Sequence, residues 1–280
     1  MQKIKAYAKI NLTLDVKNKR EDGYHELATI MQTISLCDEV EVKKADEIII
    51  SCSNENVPLG EKNIAYKAAK LFFEKAGING GADIYIDKKI PMQAGMAGGS
   101  TDAAAVLLAL NEIYGNIFTE NELCEMGAKI GADVPFCILG GTKAAYGIGE
   151  KLFDAPKMPS CKIVVVKPDA NVNTGEAYGK IDAKLGQLTH KTDEMLKALS
   201  EKNLRKIGEN LSNDFEAVSD FEDLSYVKDK MKNFNAYGTL MSGSGSAIYG
   251  LFDENNDDAE KCAEKLKEKY KENVFICVPV

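Results

Sequence analysis

The stretch Pro91–Thr101, PMQAGMAGGST, decides the fold prediction because it joins a predicted strand to a predicted buried helix. Ala82–Ile90 before it alternates apolar and polar residues, as a half-buried strand does. The segment from about Asp102 to Tyr114 after it opens with Ala103–Leu110, which is apolar on all sides and therefore typical of a buried helix. A glycine-rich connection between such elements predicts a ligand site at the loop.

The glycines of this loop predict an anion site. Gly95, Gly98 and Gly99 let the backbone approach a ligand closely, and the helix behind them adds a partial positive charge of about half a unit. Phosphate is the ligand that suits such a site best. The stretch is neither a Walker A motif nor GxGxxG. The alternative is a plain glycine-rich turn in which Thr101 or Asp102 caps the helix.

Composition excludes several classes of protein. The 280 residues carry a formal charge of −8 and are 45% hydrophobic, as in ordinary globular domains, so a disordered chain is excluded. The length suits one large domain or two smaller ones. The longest apolar run is far shorter than the roughly 20 residues that span a bilayer. An acidic chain of this kind is not expected to bind nucleic acid or anionic membranes, although a locally positive pocket could hold an anionic small molecule.

The cysteines predict a reducing compartment. Seven are scattered along the chain without a CxxC pair, and only two histidines are present. We therefore expect neither a disulfide framework nor a zinc site. The N-terminus has no apolar signal core, so the sequence predicts no export and a cytoplasmic location.

The remaining pattern predicts a mixed α+β chain. A long alternating strand covers Ile4–Val16, with Lys9 and Asn11 on its polar face, and the polar turn Arg20–His25 follows. A helix is predicted over Asn63–Ala76, and Thr119 with Glu122 forms a capping box before another. Further predictions are strands at Phe136–Leu139 and Lys143–Ile148, a linker at Asp154–Pro159, a buried strand at Lys162–Lys167, a hairpin from Tyr237–Leu240 to Ala247–Phe252, a helix at Asp257–Lys271 and a closing strand at Val274–Val278.

Several polar residues are candidates for a site, and each has an ordinary explanation. Lys9 and Asn11 could simply be the solvated face of their strand. Asp133, in the small and apolar stretch GADVPF, either forms a turn with its own backbone or belongs to a site. His25 could be a surface turn residue. Ser242–Ser246, SGSGS, is a hairpin loop or a second loop that approaches phosphate, and taken alone the hairpin is favoured.

These motifs together resemble a known family. PMQAGMAGGSTDAAA, residues 91–105, closely resembles the phosphate loop of the GHMP kinases, which include galactokinase and the homoserine, mevalonate and phosphomevalonate kinases. MSGSGSAIYG, residues 241–250, resembles their C-terminal glycine motif. AYAKINLTL, DGYHEL and IGADVPFCILGG are similar to the branch that phosphorylates 4-diphosphocytidyl-2-C-methyl-D-erythritol. The matches run in order from about residue 6 to 250.

The resemblance implies a fold and an activity. It implies a two-domain α+β fold with the active site in the interdomain cleft, residues 1–155 forming the N-terminal ATP-binding and catalytic domain and residues 156–280 the C-terminal domain. It implies ATP-dependent phosphorylation of the 2-hydroxyl of 4-diphosphocytidyl-2-C-methyl-D-erythritol, in the non-mevalonate route to isoprenoid precursors, with ATP and Mg²⁺. Oligomeric state and the protein ligands of Mg²⁺ are not predicted.

The resemblance also assigns residues by their match to the family motifs. Lys9 and Asp133 match the catalytic pair. The ATP phosphate loop matches Pro91, Met92, Gln93, Ala94, Gly95, Met96, Ala97, Gly98, Gly99, Ser100 and Thr101. The residues that bind the cytidine-bearing substrate match Asn11, Tyr24, His25, Thr174 and Tyr178. Ala97 departs from the family, because many relatives have glycine there.

These roles suit a kinase, which must hold phosphates and remove one hydroxyl proton. Asp133 is expected to accept that proton and Lys9 to keep it ionised. One alternative is another GHMP kinase of the homoserine or mevalonate type, whose substrate carries no base. The other is a nucleotide-binding sensor that has lost catalysis. The cytidine residues disfavour the first, and the presence of both Lys9 and Asp133 disfavours the second.

Overall fold

Two long strands open the chain in the computed structural model, which describes residues 1–170, 172–186 and 188–280. The strands are β1 (Gln2–Lys19), β2 (His25–Ala45), β3 (Ile49–Cys52), β4 (Gly81–Asp87), β5 (Thr142–Gly147), β6 (Lys151–Asp154), β7 (Lys162–Val166), β8 (Ser212–Asn213), β9 (Gly238–Met241), β10 (Ile248–Phe252) and β11 (Val274–Cys277). The helices are α1 (Ile64–Ala76), α2 (Gly98–Ile113), α3 (Glu120–Ile130), α4 (Val134–Leu139), α5 (Thr174–Asp182), α6 (Thr192–Ser200), α7 (Leu204–Glu209), α8 (Asp223–Asn233) and α9 (Asp258–Tyr270).

The described residues form two compact units, and each unit combines three segments of the chain. The first unit comprises Met1–Ala8, Leu36–Ile90 and Ala97–Gly140, and the second comprises Lys9–Ser35, Pro91–Met96 and Gly141–Val280. Both β1 and β2 therefore contribute residues to each unit. The domain boundary between residues 155 and 156 was inferred from the family resemblance, and it stays a prediction.

The first unit packs helices against a small sheet. The C-terminal part of β2 pairs with antiparallel β4, which also pairs with parallel β3. Helix α2 packs against α1, α3 and α4. The apolar run of α2 lies in the middle of this core, as its sequence predicts, and its buried neighbours include Phe72, Ile84 and Leu123.

The second unit contains a sheet of its own. Its strand order is β11-β7-β10-β9, and all three pairings are antiparallel. Helices α8 and α9 cover this sheet, with Val164, Ile248 and Phe252 among the buried residues. The N-terminal part of β2 pairs with β5, and Thr13 and Leu14 of β1 pair with parallel β8. These pairings set the polar residues of β1 inside the unit.

Burial of β1 differs from the sequence prediction. Alternation predicts one apolar and one polar face, yet every residue from Ala8 to Val16 is buried. The polar side chains are accommodated because they find hydrogen bonds. The Thr13 hydroxyl pairs with that of Thr192 at 3.0 Å, and Asp15 accepts from the Thr192 amide at 3.1 Å. Period-2 alternation reports which residues share a face, but not whether a second layer covers it.

Local signals at helix ends are confirmed. The Asn63 side chain accepts from the Ala65 amide at the start of α1, and Gly77 ends the helix with φ 63°. Thr119 and Glu122 form the predicted capping box of α3. The predicted strand at Phe136–Leu139 is wrong, since α4 occupies it. A six-residue apolar run cannot be assigned by periodicity, and Pro135 in the first turn suits a helix start.

Three findings concern the cysteines, the groups that could hold a metal ion, and the apolar helices. Burial raises the pKa of the Cys161 and Cys262 thiols to about 12, so these two side chains act as small apolar groups. Among the residues described, no group of three or more His, Cys, Asp or Glu side chains is placed to hold a metal ion. No helix in the described part of the chain has both the length and the apolarity that a membrane span requires.

Candidate functional site

Every second residue from position 93 to 97 of the glycine-rich loop has a left-handed backbone conformation. Gln93, Gly95 and Ala97 have φ of 51°, 71° and 57°. Helix α2 then begins at Gly98, four residues earlier than the sequence predicts, and its first bond runs from the Thr101 amide to the Ala97 carbonyl at 2.9 Å. The N–H groups of the residues between them precede any intrahelical bond, which is the arrangement that binds anions at helix starts.

Ala97 carries the backbone strain of this turn. It is the N-cap residue of α2 and has φ 57° and ψ 27°. A Cβ atom in the left-handed region costs roughly 1–2 kcal/mol, which glycine at the same place would not. Glycine at this position would adopt the same φ and ψ without that cost.

Gly98 and Gly99 lie where an added side chain would meet close neighbours. A Cβ at Gly98 would lie 3.1 Å from Lys88 Nζ and 3.1 Å from Ile90 Cγ2. A Cβ at Gly99 would lie 3.3 Å from Ile64 Cδ1. The start of α2 thus sits tightly on the chain that leaves β4, and a larger residue there would displace it.

The loop Ser242–Ser246 supports the phosphate loop. It joins β9 to β10 as the predicted hairpin, and the Ser242 hydroxyl donates to the Gly95 carbonyl at 2.9 Å. The Ala247 amide donates to the Ala94 carbonyl at 3.2 Å. A Cβ at Gly95 would lie only 2.0 Å from the Ser242 carbonyl oxygen. Sequence reasoning left this contact open, although the repeated glycines were its signal.

Lys9 and Asn11 form a buried polar pair beside the same loop. They are 5% and 2% exposed, and Lys9 Nζ donates to Asn11 Oδ1 at 2.6 Å. The Lys9 amide donates to the Met96 carbonyl at 3.2 Å, which joins β1 to the phosphate loop. The solvated-face explanation for these two residues is therefore wrong. Lys9 is thus a buried lysine whose backbone is bonded to the loop.

Asp133 lies in the turn between α3 and α4. It occupies the N-cap position of α4, but its side chain makes no capping hydrogen bond there. The turn is next to the start of α2, because a Cβ at Gly131 would come within 3.9 Å of the Ser100 hydroxyl. The turn that holds Asp133 is therefore a neighbour of the start of α2.

A buried ion cluster lies beneath the start of α2. Lys88 Nζ donates to Asp38 and, at 2.8 Å, to Asp102 Oδ2. Asp38 also accepts the backbone amides of Lys89 and Ile90 at 2.5 and 2.7 Å. Burial raises the pKa of Asp102 to about 8, and the nearby Asp38 charge adds to that shift while Lys88 opposes it. Sequence reasoning missed this cluster, since Asp102 was considered only as a cap.

The substrate-binding candidates fall into separate places in the second unit. His25 and Tyr178 are stacked, with ring centroids 4.7 Å apart and planes at 17°. Tyr24 is 60% exposed in the preceding turn. The Thr174 hydroxyl pairs with that of Ser244 at 2.8 Å, next to the hairpin loop. Asn11 is buried and bonded within the protein. The structure thus brings His25 to Tyr178 and Thr174 to the glycine hairpin.

Comparisons with known proteins agree with this architecture. The family models described as GHMP kinases N terminal domain and GHMP kinases C terminal match residues 63–141 and 195–272. The chain is 48% identical over 276 residues to 4-diphosphocytidyl-2-C-methyl-D-erythritol kinase of Caldicellulosiruptor saccharolyticus, covering 97% of this chain and 95% of that one. It is 47% identical over 274 residues to the kinase of the same name from Clostridium tetani, covering 96% and 97%.

The chain belongs to the 4-diphosphocytidyl-2-C-methyl-D-erythritol kinase family of GHMP kinases. A crystal structure of 4-(cytidine 5'-diphospho)-2C-methyl-D-erythritol kinase superimposes with a TM-score of 0.83 at 35% identity, over 99% of both chains. The mevalonate kinase of Methanococcus jannaschii has a TM-score of 0.76 at 17% identity and so shares the fold. The predicted family and the predicted α+β GHMP kinase fold are confirmed.

Proposed function

We propose that this chain transfers the γ-phosphoryl group of ATP to the 2-hydroxyl of 4-diphosphocytidyl-2-C-methyl-D-erythritol. The family relationship supports the substrate, which stands in the names of its relatives. The observation that carries the chemistry is the phosphate loop. Its N–H groups at the start of α2 lie beside the turn that holds Asp133, and its Met96 carbonyl is bonded to Lys9.

The loop fits a nucleotide triphosphate. Its backbone approaches the hairpin loop so closely that a Cβ at Gly95 has no room. The first amides of α2, which have no acceptor within the helix, suit phosphate oxygens. We propose Pro91–Thr101 as the ATP phosphate site. Magnesium bound to the phosphates would neutralise part of their charge, and Mg²⁺ commonly relies on substrate phosphates and water rather than on a protein cage.

Asp133 is the proposed general base. Its carboxylate would accept the proton of the 2-hydroxyl as the oxygen attacks phosphorus, a role worth roughly 10²–10⁴ in rate. Lys9 is proposed to supply positive charge to the reacting groups. Its burial supports this, because an ammonium in a low-dielectric setting acts more strongly than one in water.

The cytidine end of the substrate is assigned to the second unit. We propose that His25, Tyr24 and Tyr178 recognise the base, with Thr174 and Asn11 contributing near the glycine hairpin. The close packing of His25 on Tyr178 supports a single recognition surface, because both side chains would contact the same planar group. Because the chain carries a net charge of −8, we expect it to act on a small molecule rather than to bind nucleic acid or a membrane. The scattered cysteines support a reducing compartment, and we propose a cytoplasmic location.

A substrate panel tests the proposal. Purified protein with MgATP is assayed for ADP formation against the cytidyl substrate, homoserine and mevalonate, and the product is identified by ³¹P NMR. We expect phosphorylation of the cytidyl substrate alone. Comparable turnover of homoserine or mevalonate would favour the other GHMP kinases. Tight ATP binding without turnover of any alcohol would favour the sensor.

A further inference from the structure

Asp182 holds the edge of the His25 ring. The two residues are 157 positions apart, yet His25 Nε2 lies 2.6 Å from Asp182 Oδ1. The other carboxylate oxygen, Oδ2, accepts from Lys19 Nζ at 2.5 Å. Hydrogen bonds from Lys19 and then from His25 lower the pKa of Asp182, so its carboxylate is ionised at neutral pH and acts only as an acceptor.

Helix α5, which contains Asp182, also supplies the residue that packs against the face of the His25 ring. Tyr178 and Asp182 lie one turn apart on α5, so their side chains share one side of the helix. Tyr178 stacks on His25 and meets Phe215 edge-on at 4.9 Å, with the planes at 81°. His25 itself is only 7% exposed. The imidazole is thus fixed in position from its face and from its Nε2 edge.

This contact fixes which nitrogen carries the proton. An ionised carboxylate at Nε2 requires an N–H there, so in the neutral ring Nδ1 is the acceptor. Cytosine offers an exocyclic amino group as a donor, whereas uracil has a carbonyl oxygen at the same carbon. An acceptor at Nδ1 therefore favours cytosine and meets uracil with two opposed lone pairs.

We propose that Asp182 is a positioning residue that sets the His25 tautomer and thereby selects cytidine over uridine in the substrate. This rests on the proposed recognition of the base by His25. Asp182 would not touch the substrate, and it acts through the ring that does. Replacing Asp182 by asparagine keeps the size of the side chain, but the amide group can donate to Nε2. The His25 tautomer with its N–H at Nδ1 then becomes accessible.

The first experiment compares kcat/KM for the cytidyl substrate and its uridyl analogue in Asp182→Asn, with MgATP saturating. We expect the preference for cytidyl to fall about 10-fold, the value of one hydrogen bond, through KM rather than kcat and with KM for ATP unchanged. Asp182→Glu, which keeps a carboxylate, should retain most of the wild-type preference. The control is Asp220→Asn, which removes a neighbouring charge without touching His25 or Asp182, since the Asp220 carboxylate pairs with Lys180 of α5 at 3.2 Å. It should keep the wild-type preference.

A second readout is independent of activity. The chain has only two histidines, so ¹⁵N spectra of a His190→Gln background report His25 alone. When Asp182 is present, the ¹⁵N shifts of His25 should show one protonated and one unprotonated ring nitrogen. In Asp182→Asn, the shifts of the two ring nitrogens should be averaged between the two tautomers.

The outcomes separate the two ideas. If His25→Ala lowers the cytidyl preference but Asp182→Asn changes neither that preference nor the ring shifts, the positioning role is wrong and base recognition stands. If His25→Ala leaves the preference intact, base recognition by His25 is wrong and the positioning role falls with it.

Discussion

The side-chain amide of Asn11 accepts a hydrogen bond from the Lys9 ammonium and also links β1 to the glycine hairpin. Its Oδ1 accepts from Lys9 Nζ at 2.6 Å and from the Gly243 amide at 3.1 Å, while its Nδ2 donates to Thr29 Oγ1 at 2.9 Å. The hairpin in turn bonds to Gly95 through Ser242. One side chain therefore contacts both the lysine and the hairpin that bonds to the glycine-rich loop.

Asn11→Leu should lower both stability and turnover. The leucine is similar in size but leaves the Gly243 amide and Lys9 Nζ without this acceptor, and an unsatisfied buried polar group costs about 1–3 kcal/mol. Denaturant unfolding should show a loss of about that size, and kcat should fall. Asn11→Asp keeps the acceptor oxygen for Lys9 and Gly243 and loses only the donation to Thr29 Oγ1, so its effects should be smaller than those of Asn11→Leu. A raised KM for the cytidyl substrate at unchanged unfolding free energy would instead assign Asn11 to substrate binding alone.

Asp133→Asn should lower kcat by roughly 10²–10⁴, because asparagine cannot accept the proton. KM for ATP should change little, since the backbone of the loop holds the phosphates. Lys9→Met should also lower kcat, and the double variant should lose less than the product of the two effects if they act as a unit. Steady-state kinetics with melting temperatures checks this. Near-normal kcat in Asp133→Asn would remove Asp133 from the mechanism.

The sequence predicts local features of this protein better than distant ones. Asn63, Gly77 and the Thr119 capping box lie where expected, because a cap depends on residues within four positions. The hydrogen bond between His25 and Asp182 joins positions 157 apart, and no local pattern marks it.

The geometry of the candidate site follows from the sequence only in part, for the same physical reason. The glycine loop carries its own signal, since anion binding by a helix start depends on consecutive residues. The burial of Lys9 and Asn11 depends instead on elements that cover the second face of β1, such as the hairpin that supplies the Gly243 amide. Alternation in one strand contains no information about that cover.

Gly95→Ala should weaken ATP binding by separating the phosphate loop from the hairpin. The new Cβ would lie 2.0 Å from the Ser242 carbonyl oxygen, at a residue with φ 71°. We expect KM for ATP to rise at least about 10-fold, with a stability loss above roughly 1 kcal/mol. Gly141→Ala is a matched control, since its φ is 73° and nothing lies within 4 Å of the added Cβ. It should lose stability and keep KM for ATP. Equal ATP affinity in both variants would show that the hairpin contact is not needed.

Protonation of the Asp38, Lys88 and Asp102 cluster should appear in the pH dependence of stability. The pKa of Asp102 rises to about 8 in the folded protein, first because burial disfavours the charged carboxyl, whereas an unfolded aspartate titrates near about 4. Between about pH 4 and about pH 8, the folded state therefore keeps a proton on Asp102 that the unfolded state has already released. This group's contribution to stability is fully present below about pH 4 and is lost as pH rises toward about 8.

Asp102→Asn should remove this dependence, because one ammonium and one carboxylate remain and neither must take up a proton. The unfolding free energy of the wild type relative to Asp102→Asn should fall by up to about 1.4 kcal/mol per pH unit between about pH 4 and 8. Asp38→Asn is the matched variant, because it also leaves one carboxylate for Lys88 while its amide oxygen can still accept from the Lys89 and Ile90 amides. Denaturant unfolding at pH 5, 6.5 and 8 in about 0.1 M salt measures the difference. A wild-type stability that rises relative to both variants over this range would mean that the cluster holds two ionised carboxylates, with Lys88 outweighing the cost of their burial.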